Sequence, residues 1–193
     1  VQGFKQKEGV DYFETFSPTV KIKSLKYLLA IAAQEDLEIK QLDFITAFLN
    51  AKLNEDIYIT VPQGYTENLH GHTALKLNKA LYGLKQASRE WWLELDQFLN
   101  SLGYYASELD ECLYMKVVNG QRIYLALYVD DTISMYPSSL EQVWLEDKAK
   151  LAAKYAIKDL GNCEWILHME LKRDRPNKTI TLTQKAYIEK VLD

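Results

Sequence analysis

Cysteine is nearly absent from this 193-residue chain. Cys112 and Cys163 are the only two, and they lie too far apart for a cysteine-type metal site. A reducing compartment is the simplest setting for so few thiols. Long apolar runs are missing as well. No uninterrupted stretch approaches the length of a membrane span, so no membrane partner is expected. The opening Val1-Gln2-Gly3-Phe4-Lys5-Gln6 lacks the pattern of a signal peptide. It also lacks an initiator Met, as a fragment or a processed piece would. Basic residues are not in excess: 23 Lys and Arg face 27 Asp and Glu, a net charge of −4 with a pI near 5.5, which counts against a simple nucleic-acid coat protein. There is no internal repeat and no low-complexity linker. What is present is an ordinary soluble composition, 48% hydrophobic and 26% charged. The length suffices for one large domain or two small lobes.

The charge is unevenly distributed. No acidic residue occurs from Asn68 to Arg89, where Lys76, Lys79, Lys85 and Arg89 are basic. Acid dominates from Glu90 to Glu111, and a second basic stretch holds Lys172, Arg173, Arg175, Lys178 and Lys185 against Asp174 alone. Such runs are commonly solvated faces; two of them flanking an acidic pair also suit a polyanion track beside a metal site.

That pair is Asp130-Asp131, at the end of the apolar run Ile123 to Val129 and before Thr132-Ile133-Ser134-Met135-Tyr136. The pattern reads as strand, two-residue turn, strand. Adjacent carboxylates repel and raise each other's proton affinity, so a cation between them would relieve the cost. Oxygen ligands on a rigid hairpin suit hard divalent ions such as Mg²⁺. The alternative is that Asp-Asp is simply good turn chemistry. His70-Gly71-His72 offers no suitably spaced third ligand and reads as loop.

Ser24 is placed to cap a helix through Leu25, Leu28, Leu29, Ile31 and Ala32. A strand ends near Asp43 and leads into a short helical turn over Thr46 to Leu49. Asp56 to Val61 alternates as a strand, residues 64–73 read as a loop, and Leu75 to Leu77 is extended. Ser88 opens an amphipathic helix with Trp92, Leu95, Phe98, Leu99 and Leu102 on one stripe, closed by Gly103. Cys112 to Val118, the Asn119-Gly120 turn and Ile123 to Val129 predict a β-meander. Ser138 and Glu141 are spaced as a capping box. Trp165 to Leu171 and Thr179 to Leu182 read as strands, and a last helix starts at Gln184. This order fits an α+β, ferredoxin-like split βαβ core with an antiparallel sheet, whose first strand would set Asp43 opposite Asp130 and Asp131. Three carboxylates on one side are what a two-metal site requires.

Several segments together resemble the reverse transcriptase of copia-type LTR retrotransposons. They are Gly3 to Pro18, Gln41-Leu42-Asp43-Phe44-Ile45-Thr46-Ala47-Phe48-Leu49-Asn50, Leu81-Tyr82-Gly83-Leu84-Lys85-Gln86-Ala87-Ser88-Arg89, Tyr128-Val129-Asp130-Asp131, Lys158-Asp159-Leu160-Gly161 and Leu182 to Ile188. The resemblance implies a right-hand polymerase fragment: fingers at about 1–38 and 51–87, palm at about 39–50 and 88–160, and a primer-grip hairpin with the start of the thumb at about 161–193. It implies Mg²⁺, with Mn²⁺ as a substitute, held by Asp43, Asp130 and Asp131 together with the Phe44 carbonyl. It assigns Phe48, Tyr82, Gly83 and Gln86 to the deoxynucleotide pocket, Phe48 being equally an ordinary core aromatic. Lys85, Arg89 and Tyr128 become candidates for template or phosphate contacts, with a solvated helix face as the alternative for Arg89.

The implied partners are dNTP, an RNA or DNA template with its primer, and flanking integrase and ribonuclease H domains of a polyprotein. The implied location is an intracellular, cytoplasmic virus-like particle with access to the nucleus. The chain departs from the family in starting after its basic triphosphate-binding fingers residues and ending before most of the thumb. It also carries His168 where the family has Gly, and Ser88 where many members have Pro. The alternative function is a catalytically silent remnant that acts as a nucleic-acid-binding module.

Overall fold

A computed structural model describes residues 1–65, 71 and 73–192. In chain order its elements are α1 (Ile22–Gln34), β1 (Glu38–Phe44), β2 (Tyr58–Thr60), β3 (Ala74–Lys76), α2 (Ala87–Ser101), β4 (Tyr105–Ser107), β5 (Asp110–Val118), β6 (Gln121–Tyr128), β7 (Asp131–Tyr136), α3 (Glu141–Lys154), β8 (Ile157–Asn162), β9 (Trp165–Ile166), β10 (Met169–Asp174), β11 (Thr179–Thr183) and α4 (Lys185–Leu192). The mixed α and β content and the antiparallel sheets are as expected. The chain divides into two units, Val1–Pro18 with Thr46–Phe98, and Thr19–Ile45 with Leu99–Asp193. His70 and His72 lie outside the described residues. No described helix is long and apolar enough to cross a membrane.

The second unit holds a six-stranded antiparallel sheet in the order β4-β5-β6-β7-β1-β8. Its centre explains the unbroken apolar runs of the sequence. Ile123, Tyr124, Leu125, Ala126 and Leu127 on β6 are all buried, as is every residue of β7 from Thr132 to Tyr136. Alternation is lost because both faces are covered. Removing one such side chain from water contributes about 1.5–3 kcal/mol. On one covered face Phe44 packs edge-on to Tyr155, ring centroids 5.7 Å apart, and Tyr136 lies 5.8 Å from Trp144 of α3. A buried carboxylate, Asp147, is satisfied there by Lys116 Nζ at 2.6 Å and the Tyr104 hydroxyl at 3.1 Å, a pairing a buried charge requires. β8 is mostly exposed and went unpredicted, because a charged edge strand carries little apolar pattern.

Several boundaries differ from expectation. α1 begins at Ile22, so Ser24 lies inside the helix. Its start is held from a distance: the Lys21 N–H donates to Asp110 Oδ2 at 2.9 Å. The Ser138–Glu141 capping box does not form. Ser138–Leu140 is a 3-10 turn behind Pro137, with no side-chain cap, and Glu141 begins α3. The single strand expected over Trp165 to Leu171 is two strands, β9 and β10, separated by a turn at Leu167 and His168. With β11 they make a three-stranded sheet.

The first unit contains the β2–β3 pair and most of α2. The buried stripe on α2 is Ala87, Trp91 and Leu95, continued by Leu99, so Trp91 rather than Trp92 faces the core. Gly103 closes the helix at φ +88, the left-handed position glycine takes at least cost.

Candidate active site

β6 ends at Tyr128 and β7 begins at Asp131, and these two residues pair across a two-residue turn. The turn is made by Val129 and Asp130, with Val129 at φ +59. A β-branched residue there is a true outlier, since Cβ crowds the following carbonyl. Strain of this kind costs about 1–3 kcal/mol and recurs at functional sites. β1 lies alongside β7 in a register that sets Asp43 directly opposite Asp131. Directly opposed residues point to the same side of a sheet, so both carboxylates share one face. The Phe44 N–H donates to the Asp130 carbonyl at 3.0 Å and ties the turn to the end of β1. Asp43, Asp130, Asp131 and Phe44 are thus assembled by one sheet.

Electrostatics mark Asp131 within this group. Burial, and then the charges of Asp130 and Asp43, push its carboxyl above the usual aspartate range. A hydrogen bond from Gln41 Nε2 at 3.2 Å and the proximity of His168 act against that rise. His168 therefore lies within electrostatic reach of the acidic pair. It sits at φ +65, after Leu167 at φ +48, in the turn between β9 and β10. Glycine fits both positions of such a turn best. Among the described residues, no three His, Cys, Asp or Glu side chains are drawn close enough to enclose an ion as they stand. The donor chemistry nonetheless fits a hard dication: carboxylate oxygens, one of them held at raised proton affinity by burial and then by like charge.

The first unit brings together most of the remaining predicted site residues. Phe48, in a 3-10 turn over Ala47–Asn50, stacks obliquely on Tyr82 with ring centroids 4.4 Å apart. Tyr82 is 47% exposed. Gly83 adopts φ +95, and its carbonyl occupies the place a Cβ on Gly3 would need, so this loop packs backbone against backbone. Gln86 is enclosed within the unit. It is 0% exposed, its Nε2 donates to Asp11 O at 2.8 Å and Glu55 Oε2 at 3.2 Å, and its Oε1 accepts from Gln6 at 3.0 Å. With partners at both ends inside the protein, it supports the unit from within. Lys85 Nζ stands 5.8 Å from the centre of the Tyr12 ring. The Arg89 guanidinium donates to the Phe16 carbonyl at 2.9 Å. Tyr128 belongs to the second unit and is 39% exposed at the lip of the acidic turn.

Gln41, which donates to Asp131, carries no catalytic signature of its own in the sequence. A signal was there: a residue two places before Asp43 on a strand must share its face.

A family model described as reverse transcriptase (RNA-dependent DNA polymerase) matches residues 1–193, and the chain belongs to that family. Its relatives bear out the copia-type resemblance. It is 41% identical, over all of its length, to a retrovirus-related Pol polyprotein from transposon TNT 1-94 of Nicotiana tabacum. It is 35% identical over 97% of its length to that from transposon RE1 of Arabidopsis thaliana. It is 32% identical over 77% of its length to the putative transposon Ty5-1 protein YCL074W of Saccharomyces cerevisiae, covering 47% of that protein. The chain spans 14% and 12% of the first two relatives. No solved structure matches it.

Proposed function

We propose that this chain is the fingers–palm segment of an RNA-directed DNA polymerase, with the second unit's six-stranded sheet as a ferredoxin-like palm. It would join the α-phosphate of a dNTP to a primer 3′-hydroxyl, with pyrophosphate leaving. The observation that carries this reading is the in-register pair Asp43 and Asp131, with Asp130 in a strained turn beside them. Asp43, Asp130 and Asp131, with the Phe44 carbonyl, would hold Mg²⁺, or Mn²⁺ in its place. Bound there, the ion supplies charge neutralisation at the triphosphate and a lowered pKa for the attacking hydroxyl.

The protein's own part is placement. The sheet register presents the carboxylates on one face, and the hydrogen bond from Phe44 to Asp130 keeps the turn from swinging away. Phe48 on Tyr82 forms an aromatic floor suited to a sugar ring, and Gly83, whose missing side chain leaves room for the Val1 backbone, holds the loop that carries Tyr82. Lys85, Arg89 and Tyr128 are suited to phosphate and template contacts. The template is RNA or DNA with a primer, and flanking integrase and ribonuclease H domains complete the polyprotein, in a cytoplasmic virus-like particle with nuclear access.

The test is Mg²⁺-dependent primer extension on an RNA template by the full-length protein. Asp130→Asn is expected to lower the rate about a thousandfold, equivalent to ~4 kcal/mol of lost transition-state stabilisation. Equal rates in the two proteins would sink the assignment. The second reading, a silent nucleic-acid-binding module, rests on His168 at a position built for glycine. Wild-type protein that binds primer–template and incorporates nothing would favour it.

A further inference from the structure

Gln41 lies between the acidic face and a buried thiol. On β1 it stands opposite Ile133, two pairs along from Asp43–Asp131, so it meets Asp131 on the diagonal of the same face. Its Nε2 donates to Asp131 Oδ1 at 3.2 Å. Its Oε1 accepts from Cys163 Sγ at 3.6 Å. The Cys163 proton is shared with the Trp165 carbonyl at 3.5 Å, and the Cys163 N–H donates to Ile39 O at 3.0 Å. The β1–β8 pairing shifts register between Gln41 and Leu42, and Gln41 faces Gly161 at φ +72. A bulge of this kind re-aims side chains.

The amide can point only one way. A carboxylate accepts and never donates when ionised, so the Gln41 NH₂ must face Asp131 and its oxygen must find a donor on the far side. Cys163 is 4% exposed, and burial pushes its thiol up to about 12, so it keeps its proton for that purpose. The chain Cys163–Gln41–Asp131 thus has one direction, with a partner at each end of the amide. Partners of this sort around metal-binding carboxylates set their orientation.

We infer that Gln41 is a positioning residue for the acidic site: its amide, aligned by the Cys163 thiol, holds the Asp131 carboxylate in the orientation that receives a divalent ion. This rests on the reading of Asp43, Asp130 and Asp131 as the metal-holding set.

The experiment titrates Mn²⁺ alone into the full-length protein and follows free Mn²⁺ by electron paramagnetic resonance. Wild type is compared with Gln41→Met, Cys163→Ala, Cys163→Ser and Asp43→Asn. Gln41→Met keeps the length and apolar packing of the side chain and removes both polar ends. Its Kd for Mn²⁺ is expected to rise about tenfold. Cys163→Ala removes one weak donor, an effect of about threefold. Cys163→Ser retains a donor and stays within about twofold of wild type. A purely structural role would lower the melting temperature of Gln41→Met and leave the Kd unchanged.

Wild-type Kd in Gln41→Met, with Asp43→Asn impaired, overturns the role of Gln41 and leaves the site reading intact. Unimpaired binding by Asp43→Asn overturns the site reading itself. If Gln41→Met does not fold, the Cys163 pair decides: equal Kd in the Ala and Ser variants overturns the relay, and weaker binding in Ala alone supports it.

Discussion

β6 is turned at both ends by two-residue loops of opposite character. At its start, Asn119 and Gly120 stand at φ +50 and +79, the pair of residues that a tight hairpin accepts with least strain. A Cβ added to Gly120 would meet nothing within 4 Å, so glycine is there for backbone freedom alone. At its end, Val129 is forced to φ +59 and is followed by two carboxylates. One strand therefore joins a relaxed turn to a strained, charged one about eight residues away. The first turn serves folding. The second works against stability in its backbone and in its charges, which the surrounding sheet tolerates because β1 and β6 hold it on both sides. Stability and placement of charge have been assigned to different ends of the same element.

The largest expected effect separates these ends by activity. Asp43→Asn should cut Mg²⁺-dependent primer extension about a thousandfold while leaving the thermal midpoint close to wild type. A parallel fall of midpoint and rate would mean that Asp43 serves the fold. Next, Gly120→Ala should cost about 1–2 kcal/mol in denaturant titration, because alanine is strained in the left-handed region, with the rate per folded molecule unchanged. Third, Val129→Gly should leave stability unchanged or slightly raised: relief of strain offsets the added freedom of the unfolded chain. Val117→Gly, at an ordinary strand position, should lose about 1 kcal/mol. Equal losses at the two positions would show that Val129 is not strained.

The smallest effect concerns two carboxylates near β1. Asp131 is pushed up, by burial first, so in the folded protein it holds its proton more tightly than in the unfolded chain. Stability contributed there falls as pH rises from the ordinary aspartate range through the raised value. Asp159 is pulled down by Lys148 Nζ at 2.7 Å and by the Gly161 N–H. Its contribution is present above the ordinary aspartate range and is lost as pH falls through the lowered value. At neutral pH, Asp131→Asn should therefore melt higher than wild type and Asp159→Asn lower. Each change should be under about 1 kcal/mol, because solvent screens both groups. Melting curves across the acid range check the signs, and a lower midpoint for Asp131→Asn would contradict the account.

Much of this contrast is legible in the residues. Asn119-Gly120 announces a hairpin, Gly103 a helix end, and Ile123 to Tyr128 a covered strand, because each depends on local backbone preference or on a run of apolar side chains. The acidic turn is equally visible, as is Asp43 at the end of its strand. What local pattern could not supply depends on residues far away in the chain. α1 starts where it does because Asp110 accepts the Lys21 N–H. The strand expected through Leu167 breaks there, and neither Leu167 nor His168 is a turn residue by composition. Gln86 looks like a polar pocket residue until its three partners, from residues 6, 11 and 55, enclose it. β8 escapes notice because an exposed edge strand has no buried face to leave a period.

The residues by themselves determined membership of the reverse-transcriptase family, the hairpin carrying Asp130 and Asp131, and the presence of a third acidic strand end. These are matters of residue type at short spacing, which local sterics and hydrophobic periodicity can encode. Only the tertiary structure decided that Asp43 faces Asp131 in register, that burial and like charge raise the proton affinity of Asp131, and that Gln41 links it to a buried thiol. Those properties arise from neighbours up to 122 positions apart, whose distances and desolvation exist only once the sheet has formed.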